Sequence, residues 1–169
     1  ALRRLKEKND APLVICPIPL DQLRLLLFSD SSLNNGKEGK SQQGNIVCAV
    51  EAKIHFGEES ACSILIYKSH KNTKSGGSTL LTESQALSEG LAECEWVASW
   101  IGFVKNYRYE LRDRNTINRE IQITGIISSD SVLPLAAVVD AKSLYDNLNQ
   151  KQYTGAERRA ALEICVIRD

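Results

Sequence analysis

Three acids stand in contexts that suit chemistry: Asp30 after LRLLLFS, Glu83 within LLTESQAL, and Asp140 after PLAAVV. Asp30 and Asp140 each follow a short apolar run, the pattern of a buried strand. A carboxylate at the carboxyl end of a central strand is poorly placed for stability and well placed for ligands. The bland alternative for each acid is a turn or a helix cap. Three carboxylates brought together repel one another, and such a cluster is costly unless it holds a divalent cation. Oxygen ligands without a histidine or thiolate partner point to Mg2+ or Mn2+ rather than zinc. Two such ions on shared carboxylates are the machinery for in-line attack of water on a phosphodiester.

The acids meet only if their elements bring them together. Residues 23–29 hold Leu23, Leu25, Leu26, Leu27 and Phe28, which predicts a central strand buried on both faces. Residues 31–43, with Asn34, Asn35, Gly36 and Gly39, read as a loop. A second strand is expected over 44–56. Its far half alternates Ala52, Ile54 and Phe56 with Glu51, Lys53 and His55, so one face there is covered. A turn at 57–60 leads to a third strand over 61–69, giving an antiparallel three-strand meander. Thr82 and Gln85 have capping-box spacing and put Glu83 in the first turn of a long helix. Ser84, Leu87, Leu91, Cys94, Ala98 and Ile101 form its apolar face, and it runs to about residue 106. Glu89, Glu93 and Glu95 lie off that stripe and read as solvated surface.

Residues 134–139 predict another buried strand. Short helices follow over 143–149 and 156–168, separated by a break at 150–155. The charged stretch 107–130 carries a short strand at 121–127. Strand three runs parallel to strand one and ends at the same edge, where the long helix begins. A right-handed crossover then sets strand 134–139 beside strand one and parallel to it. The expected fold is α/β, a mixed sheet of a meander plus one parallel strand with flanking helices. Asp30 and Asp140 would end neighbouring strands about 5 Å apart. Glu83 would sit above the same edge.

The totals set bounds. The chain has 169 residues, enough for one domain with a real core, and a formal net charge of zero. Zero charge leaves no global electrostatic case for nucleic acid, so any such contact must be a local patch. The five cysteines form no CxxC and mostly sit in apolar runs. They read as reduced core residues of an intracellular, reducing compartment. No apolar stretch is long enough to span a membrane, and no signal peptide is visible. The chain has no methionine, consistent with a removed initiator or with a piece of a longer polypeptide. Residues 1–20 form a lead-in, basic at Arg3, Arg4, Lys6 and Lys8. Its second half holds three prolines and should run along the outside of the sheet. Residues 21–169 form the domain.

FSDSS at 28–32, TESQAL at 82–87 and VVDAKSLYD at 138–146 resemble the acidic motifs of the ribonuclease H fold. They are most similar to the ribonuclease H domain of copia-type retrotransposon polyproteins. Residues 43–47 resemble the start of that family's second strand. RRAALEICVIRD at 158–169 resembles the helix before its last strand. The resemblance covers about residues 17–169. It implies that Asp30, Glu83 and Asp140 are metal-binding, catalytic acids, and that the substrate is the RNA strand of an RNA–DNA hybrid. In the family a fifth strand and a final helix with a fourth metal-binding carboxylate follow the segment ending here at Asp169. The resemblance therefore also implies a domain incomplete at its C-terminal side.

The loop HKNTKSGGS at 70–78 is basic and glycine-containing. Lys68, His70, Lys71 and Lys74 are candidates for nucleic-acid contact. Against the enzyme stands a structural alternative: a catalytically silent, retroelement-derived subunit of a larger assembly, such as a ribosome or other ribonucleoprotein. The sheet edge that a missing fifth strand leaves bare would there take a protein partner.

Overall fold

The computed structural model describes residues 13–33, 41–72, 77–105, 133–150 and 157–168. The expectations for residues 1–12, for Lys74, for 107–130 with its strand, and for the break over 151–155 lie outside them. The elements run β1 (Leu23–Ser32), β2 (Gln42–Glu51), β3 (Cys62–Lys71), α1 (Thr79–Lys105), β4 (Leu135–Val139), α2 (Lys142–Asn149) and α3 (Arg158–Arg168). The sheet order is β3-β2-β1-β4. Pairs β1/β2 and β2/β3 are antiparallel, and β1/β4 is parallel. The chain is thus α/β with a four-stranded mixed sheet, and β1 is a central strand.

One face of the sheet carries the core. Leu25 and Leu27 of β1, Val47 and Ala49 of β2, and Leu135 of β4 meet Leu87, Leu91, Cys94 and Ala98 of α1. Leu144 of α2 and Ile164 of α3 join the same cluster. The stripe on α1 therefore faces the sheet as its spacing predicts. At Gly90 the helix comes closest. A Cβ there would lie 2.7 Å from Leu27 Cδ1 and 3.0 Å from Asn45 Oδ1. Leu27 is fully buried and has no room to swing away. Gly90→Ala is expected to lose about 1–2 kcal/mol, overpacking outweighing the gain of ~1 kcal/mol in helix propensity. That corresponds to a fall of roughly 2–8 °C in a thermal melt at this chain length.

Several boundaries differ from the sequence expectation. β2 stops at Glu51, and residues Ala52–Phe56 form a short 3-10 helix instead of further strand. Gly57, at φ 77°, closes that turn by donating its N–H to Ile54 O at 3.1 Å. The alternation there buries little, since Phe56 is exposed. Helix α1 starts at Thr79, a turn earlier than the Thr82–Gln85 spacing implies. Ser78 is the cap, its Oγ accepting the Leu81 N–H at 3.1 Å. Thr82 is buried and donates its hydroxyl to Thr79 O at 2.9 Å. Gln85 accepts from Asn72 Nδ2 at 2.8 Å in a buried contact. A threonine and a glutamine three apart fit a helix interior as well as a cap, and the serine upstream wins the start.

The proline-rich lead-in runs along the start of β3, where the Cys16 N–H donates to Ser63 Oγ at 2.8 Å. Of the cysteines, Cys48 and Cys94 are buried, whereas Cys62 and Cys165 are exposed, so the reading of all five as core residues holds only in part. No helix among the described residues is long and apolar enough to cross a membrane.

Candidate metal centre

Asp30 projects from β1, whose alternation buries Leu25, Leu27 and Ser29 against α1 and turns Phe28 and Asp30 to the opposite face. It does not end its strand. The ladder continues through Ser31↔Gln43 and Ser32↔Gln42, because backbone pairing tolerates polar side chains near the end of a strand. Asp140 directly follows β4. Ser29 pairs with Val139 in the parallel ladder, so Asp30 and Asp140 are the next residues in line. Glu83 comes from the second turn of α1, and no acid occupies the first turn. One oxygen from each of Asp30, Glu83 and Asp140 lies within 4.8 Å of the other two.

None of the three acids performs the bland role. Asp30 is inside a ladder rather than at a turn. Ala141, not Asp140, caps α2, without any side-chain cap bond. Glu83 is 4% exposed, and its Oε2 has no hydrogen-bond partner. Burial pushes its carboxyl above the ordinary range, and the Asp30 and Asp140 charges push the same way. Ser31, beside it, offers its hydroxyl and backbone N–H and pulls the carboxyl down. Ser31 Oγ nonetheless completes no hydrogen bond of normal geometry. A buried carboxylate with one unpartnered oxygen, clustered with two other acids, has the oxygen chemistry that would suit a hard divalent ion.

A groove of about 450 Å³ opens beside the acids, lined by Phe28, Asp30, Gly44, Ile46, Ser69 and Asp140 among others. Gly44 pairs with Asp30 and leaves the sheet surface open next to the carboxylate. Val138, Phe28, Ile46 and Tyr67 form an exposed apolar row across all four strands on the same face.

No protein-family model, curated protein or solved structure matches this chain.

The basic candidates part company. Lys68 is ion-paired with Glu93 of α1. His70 Nε2 lies 3.3 Å from Glu89 Oε1 and 3.0 Å from Gln43 Nε2, and Gln43 also donates to Glu89. Glu89 and Glu93, which read as solvated surface, thus tie α1 to β3. Lys71 is exposed two residues beyond Ser69 on the groove wall. Nothing in the sequence marks Ser31 or Gly44 as a site residue. Gly44 becomes legible once the β1/β2 register is known, because only the register sets it opposite Asp30.

Proposed function

We propose that this chain is a ribonuclease H-like, divalent-metal-dependent nuclease that hydrolyses the RNA strand of RNA–DNA hybrids. The observation that carries this reading is the convergence of the Asp30, Glu83 and Asp140 oxygens within 4.8 Å. The elements that bring them there support it: a meander, a long helix and a strand parallel to β1, with the three motifs in that order.

Asp30, Glu83 and Asp140 are the residues that would hold Mg2+ or Mn2+. When bound, the ion supplies Lewis-acid activation of water and offsets charge on the phosphodiester. The chain supplies the rest. Glu83 stands on a helix packed into the core, so its carboxylate is held in place before substrate arrives. Gly44 lets a backbone approach Asp30 closely, and Phe28 and Ile46 form an apolar wall beside it. Lys71 is placed for a phosphate contact, whereas Lys68 and His70 serve the α1–β3 tie. Contacts to 2′-hydroxyl groups would select the RNA strand.

The test is a labelled RNA–DNA hybrid incubated with Mg2+ or Mn2+, with Asp30→Asn alongside. Metal-dependent cutting of the RNA strand that vanishes in the variant is expected. A folded protein that cuts with neither ion, both as this chain and with the following stretch of its gene added, would overturn the catalytic reading. The silent-subunit reading would then stand, favoured by the exposed row Val138, Phe28, Ile46 and Tyr67, which suits a protein partner.

A further inference from the structure

The sheet face that meets α1 changes character at one register. Leu27, Val47 and Ile66 form the last apolar row across β1, β2 and β3. The next two rows are Ser29, Asn45 and Lys68, then Ser31, Gln43 and His70. Helix α1 sets Glu83 beside Ser31, Glu89 on His70 and Glu93 on Lys68. Burying polar groups in this way is costly unless each finds a partner.

In the row of Ser31, Gln43 and His70 the donors fall short. Gln43 is 5% exposed, and its amide nitrogen is fully used. One proton goes to Glu89. His70 Nε2, 3.0 Å away, takes the other when the imidazole carries its own proton on Nδ1. His70 and Ser31 flank Gln43 on opposite sides, so a nitrogen committed to His70 leaves the amide oxygen for Ser31. That Oε1 is buried without a hydrogen-bond partner, and so is Glu83 Oε2. Ser31 stands next to both. It is the cross-strand neighbour of Gln43, and it offers its hydroxyl to Glu83. A hydroxyl has one proton, so it satisfies one acceptor and leaves the other bare. Ser31 Oγ completes neither bond. Ser29 and Asn45 face each other in register and can exchange donor and acceptor, which confines the shortfall to the Ser31 row.

On the basis of the metal-binding role proposed for Glu83, we infer that Gln43 is a positioning residue of that centre, its amide oxygen competing with Glu83 for the Ser31 proton. A cation on Glu83 ends the contest. The ion satisfies the carboxylate oxygen, Ser31 turns its proton to Gln43, and no acceptor of the row is left bare. In the metal-free chain one acceptor stays bare, and relief of that cost on binding adds to metal affinity. The bonds to Glu89 and His70 keep the competing oxygen in place, because the amide cannot rotate without losing both.

The experiment is calorimetric titration of the full chain with Mn2+ at neutral pH, for wild type, Gln43→Met, Ser31→Ala and the double variant. Methionine keeps the length of the side chain and removes the acceptor. With Gln43→Met, Ser31 serves Glu83 without a rival, and Mn2+ binding should weaken by roughly 5–100-fold. Ser31→Ala should stay within about twofold of wild type, since the ion then relieves one bare acceptor as before. In the double variant Glu83 is again bare until the ion arrives, so Ser31→Ala should restore the affinity that Gln43→Met loses. A Gln43→Met chain that melts lower in EDTA but binds Mn2+ as wild type does would make Gln43 structural and overturn the inference. A double variant as weak as Gln43→Met overturns it too, as expected if a bridging water supplied the missing proton. Should Gln43→Met fail to fold, Ser31→Ala decides alone. A loss above about tenfold there would make the hydroxyl a simple support for Glu83 and leave Gln43 no part in metal affinity. Each of these failures leaves the metal centre standing, whereas a wild type that binds no Mn2+ removes the centre and this role together.

Discussion

Asp30→Asn is expected to abolish hybrid cleavage and, separately, to remove the stabilisation that Mn2+ is expected to give the folded chain. The two readouts share one cause. The wild-type site joins the buried Glu83 to two exposed acids within 4.8 Å. An ion that binds only the folded state stabilises it by about 2.7 kcal/mol at a hundredfold excess over Kd. At this chain length that raises the melting temperature by roughly 5–10 °C, and EDTA should reverse it. An amide at position 30 is a neutral, weaker ligand and cannot offset the charge of a divalent ion. Losing a direct ligand should weaken metal affinity by more than the ~10–100-fold typical of groups that only support ligands. Cleavage should fall by at least ~100-fold with it. Asp140→Asn should behave alike, since Asp140 is the neighbour in register and the third oxygen of the cluster. An Mn2+-induced shift that survives both substitutions would place the ion elsewhere and sink the assignment.

Glu83→Gln should do the opposite to stability, and this distinguishes a functional acid from a structural one. Burial first, and then the Asp30 and Asp140 charges, raise the Glu83 carboxyl above its ordinary value. The folded state therefore holds its proton to higher pH than the unfolded chain does. Between the ordinary carboxylate range and the raised value the native state binds more protons, so stability falls as pH rises through that window. Above the window the full cost of the buried charge is present. A glutamine of the same shape carries no charge and can donate to either aspartate. In EDTA at neutral pH the variant should be more stable by on the order of 1 kcal/mol, or about 2–4 °C. Its stability should also be flatter with pH across the window. With Mn2+ the ranking should invert, because only the wild type gains. A Glu83→Gln chain less stable than wild type in EDTA at pH 7 would show that the Ser31 contacts outweigh the repulsion. Glu83 would then be structural.

Much of the molecule was legible in residue patterns. Periodicity located β1, β3, β4 and α1, because burial leaves a direct trace in the order of apolar residues. The continuous apolar runs overstated that burial, since Phe28 of β1 and Val138 of β4 are exposed and the burial expected on both faces of β1 is not met. Tight turns and one crossover rule then put β4 beside β1. The misreadings share a cause. The alternation at Ala52, Ile54 and Phe56 and the Thr82–Gln85 spacing are short signals that two local structures satisfy equally. Gly57 and Ser78 decided between them by closing a turn and capping a helix. The glutamates of α1 looked solvated because charge alone does not say what stands opposite. Only the packing of α1 over β3 gives Glu89 and Glu93 their partners.

By itself the sequence determined that β1 to β4 and α1 to α3 form, the order of the strands in the sheet, and that Asp30, Glu83 and Asp140 belong to the elements that meet. Tertiary structure alone decided how they meet. It buried Glu83 without a partner for Oε2, left Asp30 and Asp140 exposed, and opened the groove at Gly44. The physical reason is that periodicity encodes which side chains avoid water along one element. The separation of charges and the shape of a groove depend on the register and close approach of elements far apart in the chain.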